Sequence, residues 1–293
     1  MIHWARRYPL IGFLVLGYGI PWIGWSIRAL VFKDQPLNRG DWPLGSWALY
    51  YTGCGLLISA FVISSITKGR AGVRDLLKRC VRWKVSPFWW FYALLMPILL
   101  GLISSVIIAA ASSINLGSFE PWQIWRLITP AVLFIFTIGP LCEEAGWRGF
   151  LLPHLLEKHG ALTASLVIGF IWTMWHFPLS FMPNFYQQFH SPIGFASYLI
   201  VVSCFSIHFS AIYLNTGGSV LLAMIIHWTI NATNNIVNGM FPEATAEVWR
   251  QVGTVPWGRL VNLGLWLAAT IVLVIVLGPR LRRSKCITEP GTV

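Results

Sequence analysis

Cys142-Glu143-Glu144-Ala145-Gly146-Trp147-Arg148-Gly149 sets two adjacent carboxylates and a guanidinium inside an apolar run that extends from Leu127 to Leu156. A run of that length reads as a helix crossing a membrane. An ionisable side chain at the centre of such a helix costs about 3 kcal/mol on insertion scales, so it persists where it pairs, lines a wet cavity or does chemistry. On a helix Glu144 and Arg148 are four residues apart, on one face and within ion-pairing reach. Glu143 projects about 100° away from Glu144, so one carboxylate can enter a cavity while the other is held by the arginine. By itself the stretch admits two readings: an ion pair locking helices together, or part of a functional site.

The rest of the composition agrees with a membrane setting. Of 293 residues, 56% are hydrophobic and only 11% charged, which is the balance of a multi-spanning membrane protein. The 17 tryptophans suit interfacial aromatic belts. A net charge of +11 would suggest nucleic acid in a soluble protein; here basic loops facing anionic lipid account for it, and no nucleic-acid partner is expected. The cysteines (Cys54, Cys80, Cys142, Cys204 and Cys286) are scattered without a CxxC pair, so neither a disulfide framework nor a cysteine zinc site is expected. Cys286 is followed by seven residues rather than three and is no prenylation site. Arg6 and Arg7 precede an apolar run that is too long for a signal-peptide core, and it is expected to be a retained first span.

A span needs about 20 apolar residues. Eight are expected, near 9–32, 46–66, 87–111, 127–152, 162–180, 193–214, 218–238 and 257–278. The fold class is therefore an all-α membrane protein, a bundle of about eight transmembrane helices around an intramembrane polar cavity, with residues 1–293 forming one membrane domain. Between the second and third spans, Lys68, Arg70, Arg74, Lys78, Arg79, Arg82 and Lys84 alternate with Leu76, Leu77, Val81 and Trp83. Residues 68–84 thus read as an amphipathic helix on the cytoplasmic leaflet. The positive-inside rule places this segment, Arg6 and Arg7, and Arg280, Arg282, Arg283 and Lys285 in the cytoplasm, with both termini inside. The loops near 33–45, 112–126, 181–192 and 239–256 carry few cations and are expected outside, with Trp122 and Trp125 making 112–126 interfacial.

Three spans carry groups that a lipid-facing helix would not keep. Besides Glu143, Glu144 and Arg148, there is His176 in Trp172-Thr173-Met174-Trp175-His176-Phe177-Pro178, and the pair His227 and Asn231, which share a helical face. A carboxylate in a low-dielectric cavity is a strong base toward water it holds. An imidazole opposite can orient that water or pass a proton. A second imidazole and an amide can donate to an oxyanion. Together they suit water attack on a peptide carbonyl. Cys142 points away from the Glu144 face on a helix and is no evident nucleophile. His208, alone in its span, reads as a helix–helix hydrogen-bonding residue.

With these residues assembled, the sequence resembles the CAAX-processing and bacteriocin-processing membrane proteases, the CPBP or Abi family, in its bacterial branch. Glu143, Glu144 and Arg148 match the family's EExxxR motif. Trp172 and His176 match an aromatic-xxx-His motif whose most familiar form has Phe. His227 and Asn231 match HxxxN, after Thr216-Gly217-Gly218-Ser219. The motifs cover roughly residues 125–240 in the family's order. The resemblance implies an intramembrane endopeptidase of the bacterial cytoplasmic membrane, with a cavity open to the cytoplasm and a membrane-anchored or apolar peptide substrate. It implies that Glu143 activates water with help from His176, that His227 and Asn231 stabilise the oxyanion, and that Glu144 and Arg148 hold the geometry. The Trp-for-Phe change at 172 is expected to alter pocket shape rather than chemistry. No cofactor is expected; a zinc site on Glu143, His176 and His227 is the second reading.

Two other classes remain open on sequence alone. A non-catalytic scaffold or bacteriocin immunity factor would bind a partner through the same cavity. A proton-coupled transporter also uses carboxylates and histidines within spans, although no inverted repeat is visible.

Overall fold

The computed structural model describes residues 2–32, 48–182, 186–242 and 256–282. The expected loops at 33–45 and, for the most part, 239–256, together with Arg283, Lys285 and Cys286, lie outside the described residues. In chain order the helices are Ile2–Arg7 (α1), Pro9–Val31 (α2), Gly55–Cys80 (α3), Pro87–Ser112 (α4), Pro130–Ile138 (α5), Pro140–Gly146 (α6), Leu152–Leu156 (α7), Ala161–Trp175 (α8), Pro192–Asn215 (α9), Val220–Met240 (α10) and Pro256–Leu277 (α11). Among the described residues there is no strand, and seven helices are long and apolar enough to cross a membrane. The protein is an integral, multi-pass membrane protein.

The expected fourth span is the exception. Residues 127–152 do not form one helix but a succession of short ones. Thr129 caps α5 by accepting from the Val132 amide at 3.4 Å. The helix then breaks at Gly139, whose φ of −134° and ψ of −75° are not helical, before Pro140 starts α6. Proline lacks the N–H that would continue the hydrogen-bond ladder and suits the first position of a new helix. A π-turn over Trp147–Leu151 follows and leads into α7. Single π-turns inside helical runs are frequent at functional sites. The glutamates therefore sit one turn after a break, not in the middle of an uninterrupted rod.

Three packed pairs frame this broken segment: α2 with α3, α4 with α10, and α8 with α9. Within the frame α6 lies against both α3 and α10. Indole hydrogen bonds pin the pieces together. Trp228 Nε1 donates to the Val132 carbonyl at 2.8 Å, fixing α10 to α5. Trp175 Nε1 donates to the Gly17 carbonyl at 2.9 Å, and Trp22 Nε1 to the Trp175 carbonyl at 3.0 Å, fixing the end of α8 to α2. Inside a bilayer no water competes for these groups, so each bond satisfies a donor that would otherwise be costly.

A glycine lets α2 approach the 3-10 turn Tyr51–Cys54 that leads into α3. A β-carbon on Gly24 would lie 2.2 Å from Thr52 Oγ1 and 2.4 Å from its Cγ2. Gly24→Ala is therefore expected to lower stability by about 1–3 kcal/mol through overpacking, read as a lower thermal unfolding midpoint in detergent. An unchanged midpoint would show that Thr52 moves aside freely.

The basic segment is helical as far as Cys80, and Val81–Lys84, expected to belong to the same helix, lie beyond its end. It continues from the spanning part of α3 through a kink at Gly69, where φ is +60° and ψ −150°. A side chain disfavours that conformation and glycine does not. Beyond the kink Leu76 is buried, while Leu77, Val81 and Trp83 are exposed. Arg79 is tucked inward: it pairs with Asp75 at 2.7 Å and donates to the Gly149 carbonyl at 2.8 Å, just after Arg148. His208 joins three helices, with Tyr92 Oη at 2.5 Å and Thr270 Oγ1 at 3.1 Å from its ring nitrogens, as its solitary position suggests.

Candidate active site

The site assembles from the break at Gly139, the last turn of α8 and the middle of α10. Each support has a local cause. The turn into α10 uses left-handed backbone at Gly217 (φ +65°) and Gly218 (φ +86°). Ser219 then caps the helix, accepting from the Leu222 amide at 3.2 Å and donating to the Arg82 carbonyl at 2.7 Å. This fixes the register that points His227 inward. At α8 the helix ends on His176, its C-cap, and Phe177–Phe181 continues as a 3-10 turn.

Glu144 is fully buried and has two partners, Arg148 and His227. Arg148 Nη1 lies 3.2 Å from Oε1 and 3.0 Å from Oε2, and His227 Nδ1 lies 2.9 Å from Oε1. Arg148 is also fully buried. Its guanidinium lies over the Trp172 ring at 5.1 Å and the Phe209 ring at 4.6 Å, so aromatic faces take the flank that no carboxylate reaches. The i,i+4 pairing expected from sequence is present, and His227 joins it from α10.

Glu143 points elsewhere. Trp172 Nε1 donates to its Oε2 at 2.6 Å. Its other oxygen, Oε1, turns to the gap left by Gly139. A β-carbon on Gly139 would lie 3.4 Å from Glu143 Oε1, 3.4 Å from Asn231 Nδ2 and 3.8 Å from His227 Nε2. A carboxylate oxygen, an imidazole nitrogen and an amide nitrogen thus surround one small unfilled space. Glu143 and His227 are buried, whereas Asn231 is exposed at the open side of the group. The missing side chain of Gly139 makes the space, and sequence reasoning passed over it. The Gly-Pro pair inside an apolar run was the available signal, because such pairs mark breaks.

Gly139→Ala is expected to place a methyl group in this space at ordinary contact distances. The effect should be a fall in kcat of about 10²-fold with folding intact, since small displacements at a reacting centre have effects of that size. Single-turnover rates beside a thermal unfolding curve would check it. Unchanged turnover would mean that the reacting atoms meet elsewhere.

His176 is held at one side. Its Nδ1 is 2.9 Å from the Trp172 carbonyl, which fixes that nitrogen as the N–H donor and leaves Nε2 with its lone pair. Its ring stacks on Tyr186 with centroids 4.9 Å apart and meets Trp172 at 6.1 Å. Of the expected residues, Glu143, His227 and Asn231 converge directly on the gap, Glu144 and Arg148 brace them, and His176 is coupled to the group through Trp172.

Two expectations need correction. Cys54 and Cys142 form a disulfide with α-carbons 4.4 Å apart. They are 88 residues apart in sequence, and spacing alone gave no sign of the pairing; the packing of α6 against the Tyr51–Cys54 turn brings them together. The tryptophan at 172 does more than change pocket shape: its N–H engages Glu143, which a phenylalanine cannot do.

Buried carboxylates and imidazoles gathered within a multi-pass helical bundle suit an intramembrane hydrolase. Comparison with known proteins narrows this. Residues 121–233 match the family described as type II CAAX prenyl endopeptidase Rce1-like. The chain is also 27% identical over 210 residues to CAAX prenyl protease 2 of Methanococcus maripaludis, an alignment covering 66% of this chain and 76% of that protein. Residues 121–233 are thus similar to an Rce1-like CAAX endopeptidase, and the two matches together support a CAAX-type intramembrane protease.

Proposed function

We propose that this protease hydrolyses a peptide bond in a membrane-anchored protein or apolar peptide, using water activated by Glu143. The observation that carries the proposal is the convergence of Glu143 Oε1, His227 Nε2 and Asn231 Nδ2 on the space at Gly139. Water held there gives a proton to Glu143 as its oxygen adds to the scissile carbonyl carbon. His176, held by the Trp172 carbonyl at one side of the group, is assigned the help with that water that the resemblance implies. The carbonyl oxygen becomes an oxyanion and receives hydrogen bonds from Asn231 Nδ2 and from His227. His227 donates through Nδ1 to Glu144, so its protonated form, with Glu144 as counter-ion, presents a second N–H at Nε2. Collapse breaks the C–N bond, and the proton on Glu143 passes to the leaving amine.

No step runs through a metal. The Nδ1 of each histidine and one oxygen of Glu143 are engaged, which leaves His176 Nε2, His227 Nε2 and Glu143 Oε1 for the water reading and equally for a zinc reading. The name of the Methanococcus relative makes a prenylated Cys-aliphatic-aliphatic-X tail the first substrate class to examine. Residues 1–293 are taken as one membrane domain in a bacterial cytoplasmic membrane, with the basic segment 68–84 and both termini on the cytoplasmic side.

The test is cleavage of internally quenched peptides, farnesylated and plain, by detergent-purified protein with chelator present. Cleavage of the farnesylated peptides under chelation is expected. Cleavage restored only by added zinc would overturn the metal-free mechanism. Folded protein that cuts neither kind of peptide would overturn the substrate class.

A further inference from the structure

Trp172 touches four of the site's residues: Glu143, Arg148, His227 and His176. Its N–H donates to Glu143 Oε2 at 2.6 Å, its ring receives the Arg148 guanidinium at 5.1 Å and meets the His227 ring at 5.1 Å, and its carbonyl holds His176 Nδ1 at 2.9 Å. The indole is buried. Phenylalanine, the more familiar residue at this place in the motif, would keep the ring contacts and the carbonyl but lose the N–H.

We infer that Trp172 is a positioning residue that divides the work of the two Glu143 oxygens: its indole N–H locks Oε2, and Oε1 is thereby the one that takes the proton from water. The inference rests on the glutamate–water reading above. A carboxylate free to rotate about its last bond presents either oxygen, at varying angles, to the space at Gly139. A short charge-assisted bond from a ring clamped by Arg148 and His227 removes that freedom. It also takes up one of the lone-pair directions of Oε2, so the base at work is a single oxygen with one orientation. Buried in a helix bundle, the bond has no water to replace it if the N–H is lost.

The test separates the N–H from the ring. By stop-codon suppression, Trp172 alone is replaced with β-(3-benzothienyl)alanine, which keeps the bicyclic shape and puts sulfur where the N–H was; Trp172→Phe is made beside it. Both are expected to lower kcat about tenfold or more with KM unchanged. A purely structural role would leave the shape-matched variant at wild-type kcat, and that result overturns the inference. A second measurement needs no substrate. The Trp172 indole N–H resonance, assigned as the cross-peak missing from Trp172→Phe, is expected well downfield in the wild type. It should move upfield in Glu143→Ala, where the acceptor is gone. A resonance at the ordinary indole position, insensitive to Glu143, overturns the inference whatever the activity. If the resonance behaves as expected but no peptide is cut by the wild type, the proposed function falls and the hydrogen bond stands as a packing feature, which also retires the inference as a statement about catalysis.

Discussion

Replacing Glu143 with glutamine is expected to reduce peptide cleavage by about 10³-fold, the range in which removal of a general base falls, while leaving fold and substrate affinity intact. The geometry explains why the loss should be so selective. Glutamine has the same shape, and its amide oxygen can accept the Trp172 N–H at the Oε2 position. The amide nitrogen then faces the space at Gly139, where it can donate but cannot take a proton. Glu144, Arg148 and His227 keep their mutual bonds, since none of them is made to Glu143. kcat should therefore collapse with KM and the unfolding midpoint close to wild type. In cells the same variant separates catalysis from scaffolding. A protein that binds a partner through this site, without cutting it, would keep its biological role in Glu143→Gln at normal expression. Retained cellular function together with retained peptide cleavage would remove Glu143 from the base's position altogether.

How much of this was legible in the chain depends on the range of the interaction. The Glu144–Arg148 pair was legible because it is made within one helical turn, and a four-residue spacing fixes the face. The pairing of His227 with Asn231 on one face followed from the same rule, and the basic helix after Gly69 followed from its alternation of charge and apolar residues. The helix break at Gly139 was not weighed, because an apolar run read by hydropathy alone passes for one span; the local Gly-Pro signal was outvoted by length. The Cys54–Cys142 bond and the Trp172–Glu143 bond depend on which helices become neighbours. That choice is made by the summed packing of α3, α6 and α8, to which no single residue pair testifies. His227 shows both sides: its helix face was predictable, but its Nδ1 bond to Glu144 on another element was not, and it is that bond which decides which ring nitrogen faces the site.

Arg148→Met should be the most damaging single change to stability. Arg148 and Glu144 are both fully buried, so removing the guanidinium leaves a carboxylate in the protein interior with only His227 to answer it. Breaking a buried pair from one side costs about 3–5 kcal/mol, because the surviving charge is uncompensated. For a chain of this size the thermal midpoint in detergent should fall on the order of 10 °C. The methionine fills much of the arginine's volume and can rest against Trp172 and Phe209, so lost packing is a minor part of the effect. The double variant Glu144→Gln with Arg148→Met then discriminates. If the cost of Arg148→Met comes from an orphaned charge, removing that charge as well should restore a large part of the midpoint. If Arg148 instead stabilises chiefly by packing between the two rings, the double variant should be no more stable than the single one. Activity should not return in either case. In both variants His227 loses the arrangement that orients it, since Glu144 either lacks Arg148 or is no longer a carboxylate. Stability recovered without turnover would assign the pair two separable duties: Arg148 keeps Glu144 in place, and Glu144 in turn holds His227 toward the oxyanion.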